Sequence, residues 1–187
     1  LDGEKIKGSN KLVYYVLNKP KGYVCTNAPN IKKRAVDLVP GGTRLFTVGR
    51  LDKDTEGLII ITNDGHFANA VIHPSSGVEK EYLAKVDKEV THEHLVAIGR
   101  GTIVEGTFVR PLQVRKVRRG TLRITVAEGK KREVRFLLEK VGFTVQSLTR
   151  IRLGHLLLGT LNVGEYRLLT EAERDLFSKN QSEESEE

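Results

Sequence analysis

Residues 48–65 read VGRLDKDTEGLIIITNDG. The run LIIIT (58–62) is apolar without a break, rich in β-branched residues, and bounded by Gly57 and by the turn residues Asn63, Asp64 and Gly65. Such a run is too short for a buried helix and reads as a strand covered on both faces. The loop before it holds Arg50, Asp52, Asp54 and Glu56. A turn needs Gly, Asn or Asp, but it does not need that much charge. An aspartate serving as nucleophile or base must stay ionised, which an adjacent guanidinium favours. Spacing alone leaves a solvated turn as the default, with Asp54 and Glu56 exposed.

Working outward, LVYYVLN (12–18) and GYVCT (22–26) are β-rich and flank the turn signal Pro20-Lys21-Gly22. Asn63 or Asp64 caps a short helix over HFANAVIH. EYLAKV (81–86) is a strand, Thr91 opens a helix through HEHLVAI, and residues 111–129 form two strands around Gly120. The clearest helix spans 131–141, where Val134, Leu137, Leu138 and Val141 make one apolar stripe and Gly142 stops it. Arg135 lies on the margin of that stripe, four residues from Glu139, with which a surface pair is possible. TVQSLTRIRL (144–153) returns as a strand, and Thr170 with Glu173 forms a capping box for a last helix through EAERDLF. The expected fold is mixed α/β (α+β), with many strands, short crossovers and a few flanking helices. The chain divides into an N-terminal segment 1–11, a folded body 12–177 and an acidic, disordered tail 178–187.

The chain has 187 residues, a formal net charge of +7 and a pI near 9.5. Its last ten residues carry four Glu against one Lys, so the body is more basic than the whole. A basic body suggests a polyanionic partner. The single Cys25 rules out an internal disulfide, and the scattered histidines suggest no metal site. No apolar stretch is long enough for a membrane helix and no secretory leader opens the chain. Leu1 is not an initiator Met, so the chain is expected to be a processed or excised piece.

Basic residues concentrate between Arg110 and Arg135, including Arg115, Arg118, Arg123, Lys130, Lys131 and Arg132. Arg150 and Arg152 follow on a later strand, where alternation would put both on one face. Such a surface neutralises phosphates in a salt-dependent, largely sequence-independent way.

The 48–65 stretch closely resembles the signature loop of the Rsu/Rlu-class ribosomal pseudouridine synthases: Gly-Arg-Leu-Asp, then Thr and Gly, an apolar strand, and an Asp-Gly turn. NKPKGYVCT resembles the opening strand pair of that family, and HPSSGVEKEYLAKV its second motif. EGKKREVRFLLEKVG resembles the third motif, followed by LTRIRLGHLLLGTL and GEYRLLTEAE. In order, these cover most of residues 12–173.

The resemblance implies a mainly antiparallel sheet in two lobes around a central catalytic cleft, with residues 12–177 as the catalytic domain. It also implies isomerisation of uridine to pseudouridine in folded ribosomal RNA, without cofactor or metal. Asp52 matches the essential aspartate, which either attacks the ribose or removes a ribose proton. Tyr82 matches the residue that stacks on the target base and is implied to assist deprotonation at C5, and Arg135 the basic residue that pairs with the aspartate. Arg50, Lys80, Lys130, Lys131, Arg132, Arg150 and Arg152 are the expected RNA contacts, and Asp52 alone in its loop is expected to be chemical. Glu133, where the motif often has Gln, resembles the branch acting on large-subunit (23S) rRNA, with a small-subunit (16S) target as the alternative. Phe136 stands where the motif often has a second Arg, removing one positive charge. Many relatives begin with an S4-like RNA-binding module, and LDGEKIKG resembles the last strand of one that is missing here. A monomer in a bacterial cytoplasm is expected, with a plastid stroma after transit-peptide removal as the alternative. A catalytically silent rRNA-binding or assembly factor on the same fold is the competing reading. Glycoside hydrolysis needs a second acid across a sugar, a role for which Asp54 is too close to Asp52.

Overall fold

The computed structural model describes residues 11–41, 44–127, 129–130 and 132–184, with side chains described through Ser178. In chain order the elements are β1 (Tyr14–Lys19), β2 (Phe46–Val48), β3 (Glu56–Thr62), α1 (Gly65–Ile72), β4 (Lys80–Val86), α2 (His92–Gly99), β5 (Thr102–Val104) and β6 (Thr107–Val109). Then come β7 (Gln113–Arg118), β8 (Thr121–Val126), α3 (Glu133–Lys140), β9 (Val145–Leu153), β10 (Leu156–Leu157), β11 (Tyr166–Leu168) and α4 (Glu171–Glu184).

The described residues form a nine-stranded sheet in the order β11-β1-β3-β9-β4-β8-β7, with β2 paired to β3 and β10 to β9. Strands β5 and β6 make a separate hairpin. The 58–62 run behaves as its composition dictates: Leu58, Ile59, Ile60 and Ile61 are all fully buried. Alternation sends Leu58 and Ile60 into one apolar cluster with α1 and Phe177 of α4. Ile59 and Ile61 enter another, with Tyr15, Leu17, Cys25 and Leu51. A third cluster lies across β4, β8 and β9, where α3 inserts Val134, Leu137 and Leu138, and α2 Ile98.

The two halves of the sheet meet at β3 and β9, which pair in parallel over only Glu56–Thr149 and Gly57–Arg150. Every other strand pair is antiparallel. Gly57 has φ +117°, and a Cβ there would lie 2.5 Å from the Arg150 backbone nitrogen and closer still to its carbonyl oxygen. Only glycine lets the two backbones approach this closely. Tyr82 on β4 packs against clusters from both halves, so the seam is also where the lobes meet.

Asp64 caps α1 by accepting from Phe67 N, and Thr91 and His94 form a reciprocal capping box on α2. Residues 22–26 differ from the strand expected there: only an isolated Val24–Arg34 bridge forms. Here Gly22 N bonds Lys53 O at 2.7 Å, so this segment braces the charged loop instead of joining the sheet. Helix α4 runs on to Glu184, beyond the Phe177 at which the apolar signal ends. Residues 1–10 and 185–187 of the terminal segments lie outside the described residues.

Candidate active site

Above the seam lies a cleft of about 1380 Å³. Asp52, Tyr82 and Arg135 all line it, although they come from the β2–β3 loop, from β4 and from α3. Arg50, Lys80, Lys130, Arg132 and Arg150 share its wall. Lys131 lies outside the described residues.

The Asp52 loop is held by its backbone. Asp52 O accepts from Thr55 N at 3.0 Å, closing the turn. Leu51 N donates to the buried Cys25 Sγ at 3.4 Å. The Lys53 carbonyl accepts from Gly22 N and, at 3.4 Å, from Lys19 Nζ. Lys19 is fully buried, and its ammonium also donates to Pro20 O and Tyr23 O at 2.9 and 2.8 Å. Burial pushes its pKa down, while the nearby thiol and the carboxylates of Glu56, Asp54 and Asp52 oppose that shift. The sequence reading passes over Lys19; its signal is a cation closing an otherwise apolar strand, LVYYVLNK.

Helix α3 clamps the same loop from the other lobe. Arg135 is buried, and its Nη2 donates to Asp54 O at 3.0 Å and to Thr55 Oγ1 at 3.2 Å, lying 3.6 Å from the Asp54 carboxylate. The expected Arg135–Asp52 ion pair is not what forms. Arg132 comes nearest Asp52, with Nη1 3.7 Å from Oδ2, while donating to both Asp54 oxygens at 3.2 and 3.3 Å. Asp54 is therefore half-buried and paired, not the free charge of a solvated turn. Partial burial works against its charged form, but the Arg132 hydrogen bonds and the two guanidinium charges outweigh it and hold its carboxyl below the usual range. Arg132 reaches this position from a left-handed backbone, φ 60° and ψ 17°, at the N-cap of α3. Such a conformation in a non-glycine residue costs energy and concentrates at functional sites. With Arg135 turned to the loop, the surface pair with Glu139 is absent among the described contacts.

Tyr82 lies between Ile124 of β8 and Arg150 of β9 in the sheet register, half-exposed at the cleft. Arg150 is buried, and its Nε donates to Leu58 O at 2.9 Å, tying the seam. Arg152 departs from expectation. The register skips Ile151, pairing Arg150 with Tyr82 but Arg152 with Glu81. Tyr82 and Glu81 point to opposite faces, so the bulge sends the two arginines apart. Arg152 leaves the cleft and pairs with Glu79 and Glu81 at 3.3 and 3.6 Å. Among the described residues there is no His/Cys/Asp/Glu group that could hold a metal ion, and no helix long and apolar enough to cross a membrane.

The site is thus a carboxylate on a pinned loop beside two guanidinium groups, with an aromatic ring lining the same basic cleft. That is equipment for acting on one base of a phosphate-rich polymer. The solved structure of a pseudouridylate synthase has the same fold, with a TM-score of 0.81 at 28% identity over 89% of this chain and 74% of that one. SVR1 of Arabidopsis thaliana, a chloroplastic protein named for pseudouridine synthesis in the large ribosomal subunit, is 42% identical over 86% of this chain. The dual-specificity RNA pseudouridine synthase RluF of Escherichia coli K12 is 38% identical over 94% of it. The chain spans 44% of the first relative and 61% of the second, less than two thirds of either. The family model described as RNA pseudouridylate synthase matches residues 13–140, which carry the Asp52 loop, Tyr82 and both clamping arginines. By that match and these identities, the chain belongs to the RNA pseudouridylate synthase family.

Proposed function

We propose that this chain isomerises a uridine to pseudouridine in ribosomal RNA, with Asp52 as the acting carboxylate. The observation that carries this reading is the convergence of Asp52, Tyr82, Arg132 and Arg135 from three separate elements on one basic cleft. A base within a stem is out of reach, so the target nucleotide must leave the stack, and a tyrosine ring in the cleft recovers part of that cost. Asp52 acts at the ribose, the C1′–N1 bond breaks, the uracil turns, and C1′ bonds C5. The C5 proton is lost and N1 gains one, so the reaction needs no outside oxidant or reductant. Tyr82 stacks on the base, and the clamped loop keeps the carboxylate in place while the freed uracil rotates. The large ribosomal subunit is the proposed source of the substrate, supported by Glu133 in the third motif and by the name of the plastid relative.

The test is tritium release from [5-³H]uridine-labelled rRNA by this chain and by Asp52→Asn. Release by the parent and silence in the variant is the expected result. Equal release by both would remove Asp52 from the chemistry, and RNA binding without release by either would favour a silent rRNA-binding factor.

A further inference from the structure

We infer that the sheet face turned away from Tyr82 is a second RNA-contacting surface, which grips the phosphate backbone of a double-helical segment outside the cleft. The inference rests on the proposed function, since it takes the partner to be RNA.

Along β4 and β8, alternate side chains enter the apolar cluster under α2 and α3: Ala84, Val86, Leu122, Ile124 and Val126. The intervening residues lie on the other face, where Thr121 and Thr125 are buried among their neighbours, Arg123 is half-buried and Lys85 is exposed. Arg115 of β7 lies directly opposite Arg123 of β8. Like charges paired across strands destabilise a sheet, and among the described residues one carboxylate moderates them. That carboxylate, Glu81, lies 3.8 Å from Arg123 and is shared with Arg152. In the next row, the register irregularity between Lys116 and Arg118 places Arg118 opposite Thr121, whose other neighbour is Lys85. Thr121 and Arg123 are two apart on β8, so Arg118 and Lys85 share the face of Arg115.

Arg115, Arg118 and Lys85 are exposed and have no carboxylate partner among the described residues. Their neighbours differ: Lys116 and Arg119 are both engaged by Glu89. These three cations thus share one face, on which Glu81 is engaged by Arg123 and Arg152 instead. None of them lines the cleft.

The chemistry of the face selects the kind of RNA. Proteins that hold single strands interleave basic residues with aromatic rings on which bases stack. The outward positions of β4, β7 and β8 carry Arg, Lys, Thr, Gln, Glu and Leu but no aromatic residue. Such a surface reads phosphates and not bases, which suits a continuous helix flanking the modified nucleotide. Charged side chains along β7 also blunt an exposed sheet edge. Edge protection alone, however, does not call for the inward row on β8 and β4.

The test uses the full chain and the variant Lys85→Gln/Arg115→Gln/Arg118→Gln, which leaves Glu81 and its partners intact. The probe is a long, perfectly paired RNA duplex with no loop or bulge, and affinity is measured against salt concentration. Tritium release from labelled rRNA is followed in parallel, with circular dichroism to confirm that the variant folds. The inference expects duplex affinity to fall by about tenfold or more and the log K against log salt slope to flatten by roughly 2 to 3, at about 0.9 per lost phosphate contact. Parental affinity and slope in the folded variant would overturn it, whether or not tritium is released. Duplex binding that depends on this face, in a chain that releases no tritium, would uphold the surface and remove the proposed reaction. Failure of the parent to bind duplex would overturn the inference while leaving tritium release to judge the activity. A variant that does not fold is replaced by Arg115→Gln alone, for which a slope change of about 1 is expected and no change is the overturning result.

Discussion

The guanidinium of Arg132 spans both carboxylate oxygens of Asp54 at 3.2 and 3.3 Å while standing 3.7 Å from Asp52. Two carboxylates therefore compete for one cation, and Asp54 takes the bidentate geometry. This leaves Asp52 near a positive charge but not locked by it, as its proposed action on a sugar requires.

Asp54→Asn is expected to lower kcat by about tenfold to a hundredfold, because Arg132 becomes free to close on Asp52 and the loop loses its register. KM for RNA should change little. Both partners are more than a third exposed, so the stability change should stay below about 1 kcal/mol. The folded carboxyl of Asp54 is depressed, so its pairing is complete above the ordinary aspartate range and is lost only as pH falls through the lower, folded value. An acid limb in kcat near neutral pH therefore belongs to another group. Steady-state kinetics and urea titration of the variant check both points; an unchanged kcat would leave Asp54 a structural pair only.

Tyr82→Phe is expected to retain the fold and RNA affinity while lowering kcat by about a hundredfold or more, the scale of a proton transfer, because the resemblance also implies that the Tyr82 hydroxyl helps remove the C5 proton. Tyr82→Ala should also weaken binding, by about 1–3 kcal/mol for the lost base stack. Gel-shift affinity and single-turnover rates separate the two effects. A parental rate for Tyr82→Phe would assign Tyr82 to stacking alone.

Much of this fold is written locally. The 58–62 run, the 134–138 stripe and the Thr91 cap all depend on neighbours within a few residues, and each forms as its spacing dictates. What local pattern cannot show is pairing across the chain. Asp54 looks like a solvated turn residue because its partner lies 78 positions away on a helix. Arg150 and Arg152 look like one face because period-2 alternation is blind to the bulge at Ile151. The β5–β6 hairpin escapes because its strands have three residues each, too few for alternation to register.

Gly57→Ala tests the seam itself. The added methyl group meets the Arg150 backbone, and the φ of +117° is strained for any L side chain. Neither backbone can yield without breaking the short β3–β9 pairing that joins the lobes. A loss of about 3 kcal/mol or more is expected from overlap and strain together, read as a lower urea midpoint. Tolerance of alanine there would mean that the lobes can re-space without harm.

Arg167 and Glu173 give the clearest pH dependence. Arg167 donates to both Glu173 oxygens at 2.7 and 2.8 Å, and Glu173 also closes the capping box of α4 through Thr170 N at 3.0 Å. The Arg167 hydrogen bonds lead in lowering the Glu173 carboxyl to about 2, against partial burial. A depressed carboxyl stabilises the fold above its unfolded value, near 4.5, and that contribution disappears as pH falls toward 2. Because Arg167 is more than a third exposed, the contribution is screened to about 1–2 kcal/mol. Arg167→Met should therefore lower stability by that amount at pH 7 and by progressively less from pH 4.5 down to pH 2. Urea unfolding of parent and variant across that range measures the difference. Parallel stability curves at all pH values would show that the methionine acts through packing and not through the charge it replaces.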